Sequence, residues 1–279
     1  MRLRTLLATI ILGGGSTAAA HAVGVPPEVE EAFDRGTIEV ETDQGTRSFG
    51  YRMHRPDSAS AENPLPLVVF LHGAGERGDD NTRQLGHFPG RWLREPHLAE
   101  RHEAIVLAVQ CPRNEAWSPR SRNKDGEWLP NADPPPTDSM RAVIAKIREL
   151  AQDPSVDRQR IYLTGLSMGG YGSWDLARRH PDWFAAVVPI CGGANPQAGP
   201  GLAKSGVPIW NVHGDADRVV SVELSRGIVK SIRDAGGHIG YTELPGVGHD
   251  SWNMAYGSEG CMGWMFAQQR PTPAEIPEA

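Results

Sequence analysis

Five short apolar runs, at 67–71, 104–109, 161–164, 185–190 and 208–212, contain no alternation of polar and apolar residues. A strand with one face in water alternates, so unbroken β-favouring runs of this length point to strands buried on both faces. A weaker run follows at 240–244. Between the runs lie segments of helical period, at 139–151 with Met140, Val143, Ile144, Ile147 and Leu150 on one face, at 170–179, and at 222–235. Strands alternating with helices over short connections define an α/β fold with a mostly parallel central sheet and helices on both faces. The stretch 37–55 differs: two strand-like segments flank the turn residues Asp43, Gln44 and Gly45, which predicts an N-terminal antiparallel hairpin at a sheet edge.

Two segments stand outside this alternation, 81–101 and 114–136, the latter with Pro134, Pro135 and Pro136 in succession. Connections of that length in a compact domain are often functional, and the second is expected to form one wall of a substrate cleft. There is no internal repeat, low-complexity tract or interdomain linker, so residues 23–279 are read as one domain. Residues 1–22 are read as a secretory signal peptide. Arg2 and Arg4 precede a short apolar run at 6–12, and Ala20, His21 and Ala22 give a small-x-small cleavage site. The expected location is therefore the periplasm or the medium, with no membrane span.

The formal net charge of −6 argues against nucleic acid as a partner, since such proteins carry a basic face. Cys111, Cys191 and Cys261 are odd in number and widely spaced, so no disulfide is assigned and no zinc pattern is present. No metal is expected.

The run at 161–164 passes directly into Gly165, Leu166, Ser167, Met168 and Gly169, and a helical segment follows. Glycines on either side permit a sharp strand-to-helix turn that presents the serine under backbone strain at the tip of the sheet. The N-terminus of the next helix, with the Met168 N–H, then faces a developing oxyanion. A serine hydroxyl used this way needs a base and an acid, which in this architecture follow later strands in the order Ser, Asp, His. The strand at 208–212 ends in His213, Gly214, Asp215, Ala216 and Asp217. Either aspartate has the spacing. Asp215 stays the competitor, equally suited to bonding its own loop as turn aspartates do, and Asp217 is favoured as the acid by the strand-end logic of the triad and by the resemblance given below. His213, before a glycine, is read as structural. His249, in the Gly-rich loop after the last strand, is the expected base.

The run at 67–71 ends in His72, Gly73, Ala74, Gly75, Glu76, Arg77 and Gly78. Small residues here let a backbone N–H approach an oxyanion, and Ala74 or Gly75 is expected to donate it, Ala74 first. The Lys-Ser/Thr ending of a nucleotide-binding P-loop is absent. Glu76 and Arg77 are read as a local ion pair holding the loop, with lining of the cleft as the alternative.

Together, Leu71 to Gly78, the Gln110-Cys111-Pro112 step, the Gly165 to Gly172 elbow with Trp174 and Asp175, the Gly214-x-x-Asp217-x-x-Val220 loop and His249-Asp250-Ser251-Trp252 resemble a known group. It is the secreted bacterial carboxylesterases of the α/β-hydrolase superfamily. Within it the chain is most similar to feruloyl-esterase-like and polyhydroxybutyrate-depolymerase-like proteins, often labelled predicted peptidases or phospholipase/carboxylesterases. The resemblance spans about 64–266. It implies the α/β-hydrolase fold, a Ser167–His249–Asp217 triad, an oxyanion hole from Met168 and the His-Gly loop, and no cofactor.

The expected function is ester hydrolysis through an acyl-enzyme, on a small-molecule or polysaccharide-linked ester. Trp117, Trp128, Tyr171 and Trp252 are the expected substrate contacts, stacking on a sugar or phenolic group as in feruloyl or acetyl esters of plant cell walls. A prolyl-oligopeptidase-like peptidase is the alternative, disfavoured by the lack of room for a gating domain. A non-catalytic binding module would be expected to lose a triad member or to clog the oxyanion loop, whereas Ser167, Asp217, His249 and the His-Gly loop are all present.

Overall fold

The computed structural model describes residues 24–278 apart from 44, 123, 125–127, 132 and 258, so the expected signal peptide and the middle residue of the expected hairpin turn lie outside the described residues. The described residues form the strands β1 Asp34–Thr42, β2 Gly45–His54, β3 Leu65–Leu71, β4 Ile105–Val109, β5 Arg120–Arg122, β6 Trp128–Pro130, β7 Val156–Leu166, β8 Ala186–Ile190, β9 Trp210–Gly214 and β10 Gly240–Leu244. The α-helices are α1 Pro27–Glu31, α2 Phe88–Arg94, α3 Pro96–Ala99, α4 Asp138–Ala151, α5 Met168–Arg179, α6 Gly199–Ser205, α7 Glu223–Asp234, α8 Trp252–Tyr256 and α9 Glu259–Phe266.

Eight strands make one sheet in the order β1-β2-β4-β3-β7-β8-β9-β10. The hairpin β1–β2 is antiparallel and joins β4 antiparallel, whereas β4, β3, β7, β8, β9 and β10 run parallel. This is the mostly parallel sheet with an antiparallel N-terminal hairpin that the sequence predicts.

All seven residues of β3 and all five of β4 are buried. Their side chains alternate between two cores. Leu67, Val69, Leu71, Ile105, Leu107 and Val109 pack with Met140, Val143 and Ile147 of α4, Trp174 of α5 and Ile228 and Ile232 of α7. Val68, Phe70, Val106 and Ala108 pack on the opposite face with Val29 of α1, Phe88 and Trp92 of α2 and Met262 and Met265 of α9. Each such side chain contributes on the order of 1.5–3 kcal/mol when fully buried. The period-free sequence of these strands therefore follows from a sheet with helices on both sides.

β7 begins at Val156, five residues before its apolar run. The added residues Asp157 to Arg160 carry it past an irregularity in the β3–β7 register between Leu65 and Leu67. The segment 114–136 holds a small antiparallel pair, β5–β6, with Arg120 opposite Pro130. Thr137 caps α4 by accepting the Met140 N–H at 3.1 Å, a contribution of about 1 kcal/mol. No helix among the described residues is long and apolar enough to cross a membrane.

Candidate active site

β3 and β7 are neighbours, yet their connections leave on opposite faces, β3 through α2 and α3 and β7 through α5. Parallel sheets open a crevice at the C-terminal ends of such a strand pair. The loop at 72–76 and Ser167 emerge at that point.

Ser167 has φ 52° and ψ −116°, a left-handed conformation outside the usual regions for a side-chain-bearing residue. Such a residue costs on the order of 1–3 kcal/mol and persists only where its surroundings enforce it. The enforcement is main-chain contact: a Cβ on Gly169 would lie 1.8 Å from the Leu71 carbonyl oxygen, and one on Gly165 would lie 2.5 Å from the Gly169 oxygen. Only glycine lets the first turn of α5 press against the end of β3. The Ser167 N–H donates to Ile190 O at 2.9 Å, which fixes the turn from the β8 side.

Ser167 Oγ lies 2.8 Å from His249 Nε2, and His249 Nδ1 lies 2.7 Å from Asp217 Oδ2. With Nδ1–H donating to the carboxylate, Nε2 faces the hydroxyl as an acceptor. Asp217 Oδ1 accepts the Val219 and Val220 N–H groups at 2.8 and 3.0 Å. Burial alone would raise the Asp217 pKa, but hydrogen bonds from His213, His249 and the Val220 N–H outweigh it and hold the carboxyl well below the usual range. It is therefore an anion with a 0 % exposed side chain, facing a His249 that is 19 % exposed. Asp215 turns away and accepts the Gly246 N–H at 2.6 Å, bracing the loop that leads to His249.

Met168 is the first residue of α5, where the N–H has no acceptor within the helix. Ala74 and Gly75 form a 3₁₀ turn with Glu76, and both are exposed. The 73–78 run also has the Gly-x-Gly-x-x-Gly spacing of dinucleotide-binding turns, but it opens only this three-residue 3₁₀ turn rather than the helix such a site requires. His72, just before the turn, is wholly buried. Its Nε2 accepts the Cys111 N–H at 2.9 Å and its Nδ1 lies 2.6 Å from Gly73 O, so the ring is neutral with the proton on Nδ1. Burial lowers its pKa to about 4.

Two of the expected substrate contacts are corrected. Trp117 is 0 % exposed; its Nε1–H donates to His72 O at 2.9 Å and its ring stands edge-on to the His72 ring. It braces the loop from beneath, because an indole in a long connection gains more by filling the sheet end than by facing water. Tyr171, on the first turn of α5, is also buried, packed near Gly193 with the Arg120 guanidinium 5.0 Å from its ring centre. Trp128 begins β6 of the small hairpin. Trp252 is half-buried at the start of α8, with its ring 5.4 Å from the His249 ring at 88°.

The expected Glu76–Arg77 pair is replaced by other partners. Glu76 meets His87 Nε2 at 3.3 Å, while Arg77 donates to the carbonyls of Ala74 and Glu115. Burial would raise the Glu76 pKa, but His87 keeps it lowered. The His87 ring in turn stands 5.4 Å from Trp252, so Glu76, His87, Trp252 and His249 line one side of the crevice. Sequence reading did not find His87, which sits in the unpatterned 81–101 segment. His213, read as structural, lies 3.1 Å from Asp217 Oδ2. Its place four residues before Asp217 was the available signal. Cys111, Cys191 and Cys261 are buried, and none of them forms a disulfide among the described residues. No group of three or more His, Cys, Asp or Glu suited to a metal occurs among the described residues.

A family model described as "Dienelactone hydrolase family" matches residues 113–256, just over half of the chain. The chain is 28 % identical over 193 residues to NocK of Nocardia uniformis subsp. tsuyamanensis, a protein named as an esterase, covering 69 % of this chain and 52 % of NocK. It is 31 % identical over 173 residues to the bifunctional acetylxylan esterase/xylanase XynS20E of Neocallimastix patriciarum, covering 61 % of this chain and 22 % of that one. The chain thus spans about half of NocK and less of XynS20E. Among solved structures, a thermostable esterase superposes with a TM-score of 0.74 at 36 % identity, over 87 % of this chain and 64 % of its own. The fold is that of the α/β hydrolases.

Proposed function

Since the chain belongs to the dienelactone hydrolase family, we propose that it is a carboxylic-ester hydrolase in which Ser167 is the nucleophile, His249 the general base and Asp217 the acid. The observation that carries this reading is the unbroken contact from Ser167 Oγ through His249 to a buried, ionised Asp217, at 2.8 and 2.7 Å.

As Ser167 Oγ attacks the ester carbonyl carbon, His249 Nε2 takes its proton. The carbonyl oxygen becomes an anion between the Met168 N–H and that of Ala74 or Gly75, each donor worth roughly 3–4 kcal/mol in the transition state. Asp217 stabilises the imidazolium through Nδ1–H and remains ionised. The tetrahedral species expels the alkoxide, which receives the proton from Nε2, leaving an acyl-Ser167 ester. A water then attacks the acyl carbon while His249 takes its proton, and collapse releases the carboxylic acid and restores the Ser167 hydroxyl.

The preferred substrates are acetyl or feruloyl esters of plant cell-wall polysaccharide. Supporting this are the acetylxylan esterase named among the relatives and the Trp252 ring beside His249 as a stacking surface. Residues 1–22 direct secretion and residues 23–279 form the hydrolase domain.

The test is turnover of p-nitrophenyl acetate and butyrate, methyl ferulate, acetylated xylan and a peptide anilide by wild type and Ser167→Ala. Ester turnover that vanishes in Ser167→Ala is the expected outcome. Cleavage of the anilide alone rejects ester hydrolysis, and a folded protein inert to the whole panel and to a fluorophosphonate probe rejects the enzyme reading.

A further inference from the structure

His213 makes more contacts at the acid than a structural histidine requires. Its Nε2 lies 3.1 Å from Asp217 Oδ2, the oxygen that also meets His249 Nδ1, and 3.1 Å from the Val220 carbonyl. Both neighbours of Nε2 only accept, so Nε2 carries a proton. Its Nδ1 lies 2.7 Å from Ser225 Oγ, which is itself 3.3 Å from Gly192 O. Ser225 can donate to Nδ1 when the ring is neutral, or accept from it and donate to Gly192 O when the ring is charged. The ring keeps its position in either state, and it is wholly buried.

Resting on the Ser167–His249–Asp217 reading, we propose that His213 is a positioning residue for that array: two imidazole N–H groups converge on Asp217 Oδ2, and the one from His213 fixes the lone pair that His249 uses. An ionised carboxylate offers about four acceptor sites. Those of Asp217 are met by the Val219 and Val220 N–H groups on Oδ1 and by His213 and His249 on Oδ2. The carboxylate has no freedom to turn. Without the His213 donor, Oδ2 is held only by His249, the ring whose Nε2 gains and loses a proton during the reaction, and the carboxylate can swing towards other donors.

The charged groups around His213 are few. Asp217 faces it from its own loop, with His249 beyond. Glu243 stands beside it in the β9–β10 register. Glu243 is paired with Arg226 of α7 and accepts from Tyr241 Oη, and Arg226 is the main cause holding its carboxyl down to about 2. Glu243 is thus already paired and does not compete for the His213 proton.

The test compares wild type, His213→Leu, His213→Gln and His213→Asn, with Ser167→Ala alongside. Gln places its Nε2 donor near that of the imidazole, whereas Asn is too short to reach Asp217. The expected result is a kcat lowered about 10- to 100-fold in His213→Leu and His213→Asn with little change in KM, as for small misplacements of a reacting group. The acid limb of the kcat/KM profile moves to lower pH in both, because a carboxylate no longer fixed in place stabilises the imidazolium less, and His213→Gln recovers most of both properties. If His213→Leu does not fold, the Gln and Asn pair carries the comparison. Equal rates in Gln and Asn, or a limb that stays or moves to higher pH, overturn the proposal. Turnover that persists in Ser167→Ala removes the triad reading and this proposal with it, whereas loss in Ser167→Ala with unaltered His213 variants removes only the role of His213.

Discussion

The loop leaving β3 and the hairpin β5–β6 both lie over the C-terminal end of the sheet, and they differ in what holds them. The loop is anchored from below by a neutral buried His72, by the Cys111 N–H and by the Trp117 indole, and it touches α5 through bare backbone. The hairpin has three paired positions. It is tied at its ends, by Asn195 to Pro130 O, by Arg178 to Asp133 and by Arg179 to Pro134 O, and Leu129 stands exposed on it. Groups that stabilise charge must be fixed to fractions of an ångström, and burial with every hydrogen bond made achieves that. A surface that selects substrates gains from exposure and a weaker hold.

This contrast can be broken in four ways. The largest effect belongs to the fixed side: His249→Ala should lower kcat by about 10⁴- to 10⁶-fold with an unchanged melting temperature. A loss below tenfold, measured on p-nitrophenyl acetate, would remove His249 from the chemistry. Next, Trp117→Ala should destabilise the fold by about 3–5 kcal/mol in urea unfolding, as for other fully buried large aromatics. If Trp117 instead faced substrate, the change would appear in KM with stability nearly intact.

The third effect is acid lability. Folding lowers the His72 pKa from its ordinary 6.5 to about 4 through burial, so as pH falls the unfolded chain binds the proton first. The contribution is fully present above pH 6.5 and is lost as pH falls towards 4, at about 1.4 kcal/mol per pH unit. His180, also lowered by burial, acts in the same direction, and urea unfolding at pH 7, 6 and 5 in a His180→Gln background isolates His72. A flat profile there contradicts a neutral, acceptor His72. The smallest effect is on the loosely held side: Leu129→Ser should change stability by less than about 0.5 kcal/mol while altering the order of preference among esters. An unchanged order would place selection elsewhere.

Most of what the sequence made legible is periodic or tied to a strand end. The buried strands, the helices at 138–151 and 168–179 and the turn at Ser167 follow from local pattern, since a run buried on both faces and a glycine-flanked turn each have few alternatives. Asp217 and His249 were read from their place after strands, and the structure brings His249 to 2.7 Å from Asp217 and 2.8 Å from Ser167. Side-chain direction in unpatterned segments was not legible. Trp117 turned inward and His87 came to the crevice from segments with no period, where tertiary packing decides which way a side chain points; Tyr171 turned inward on the first turn of α5. His213 was placed at the right strand end; its contact with Asp217 lies within its own loop, whereas its partner Ser225 becomes a neighbour only when α7 folds back on β9.

The contact between Gly169 and Leu71 O makes the end of β3 and the start of α5 a single gauge block. The span between the two sources of backbone N–H is set by main chain against main chain, with no side chain between them to be enlarged or trimmed. Substitution around the crevice can reshape what enters it but has no lever on that width. Changes of substrate by mutation are therefore expected to accumulate in the hairpin, in α8 and around His87, while the width of the proposed oxyanion site stays the same from variant to variant.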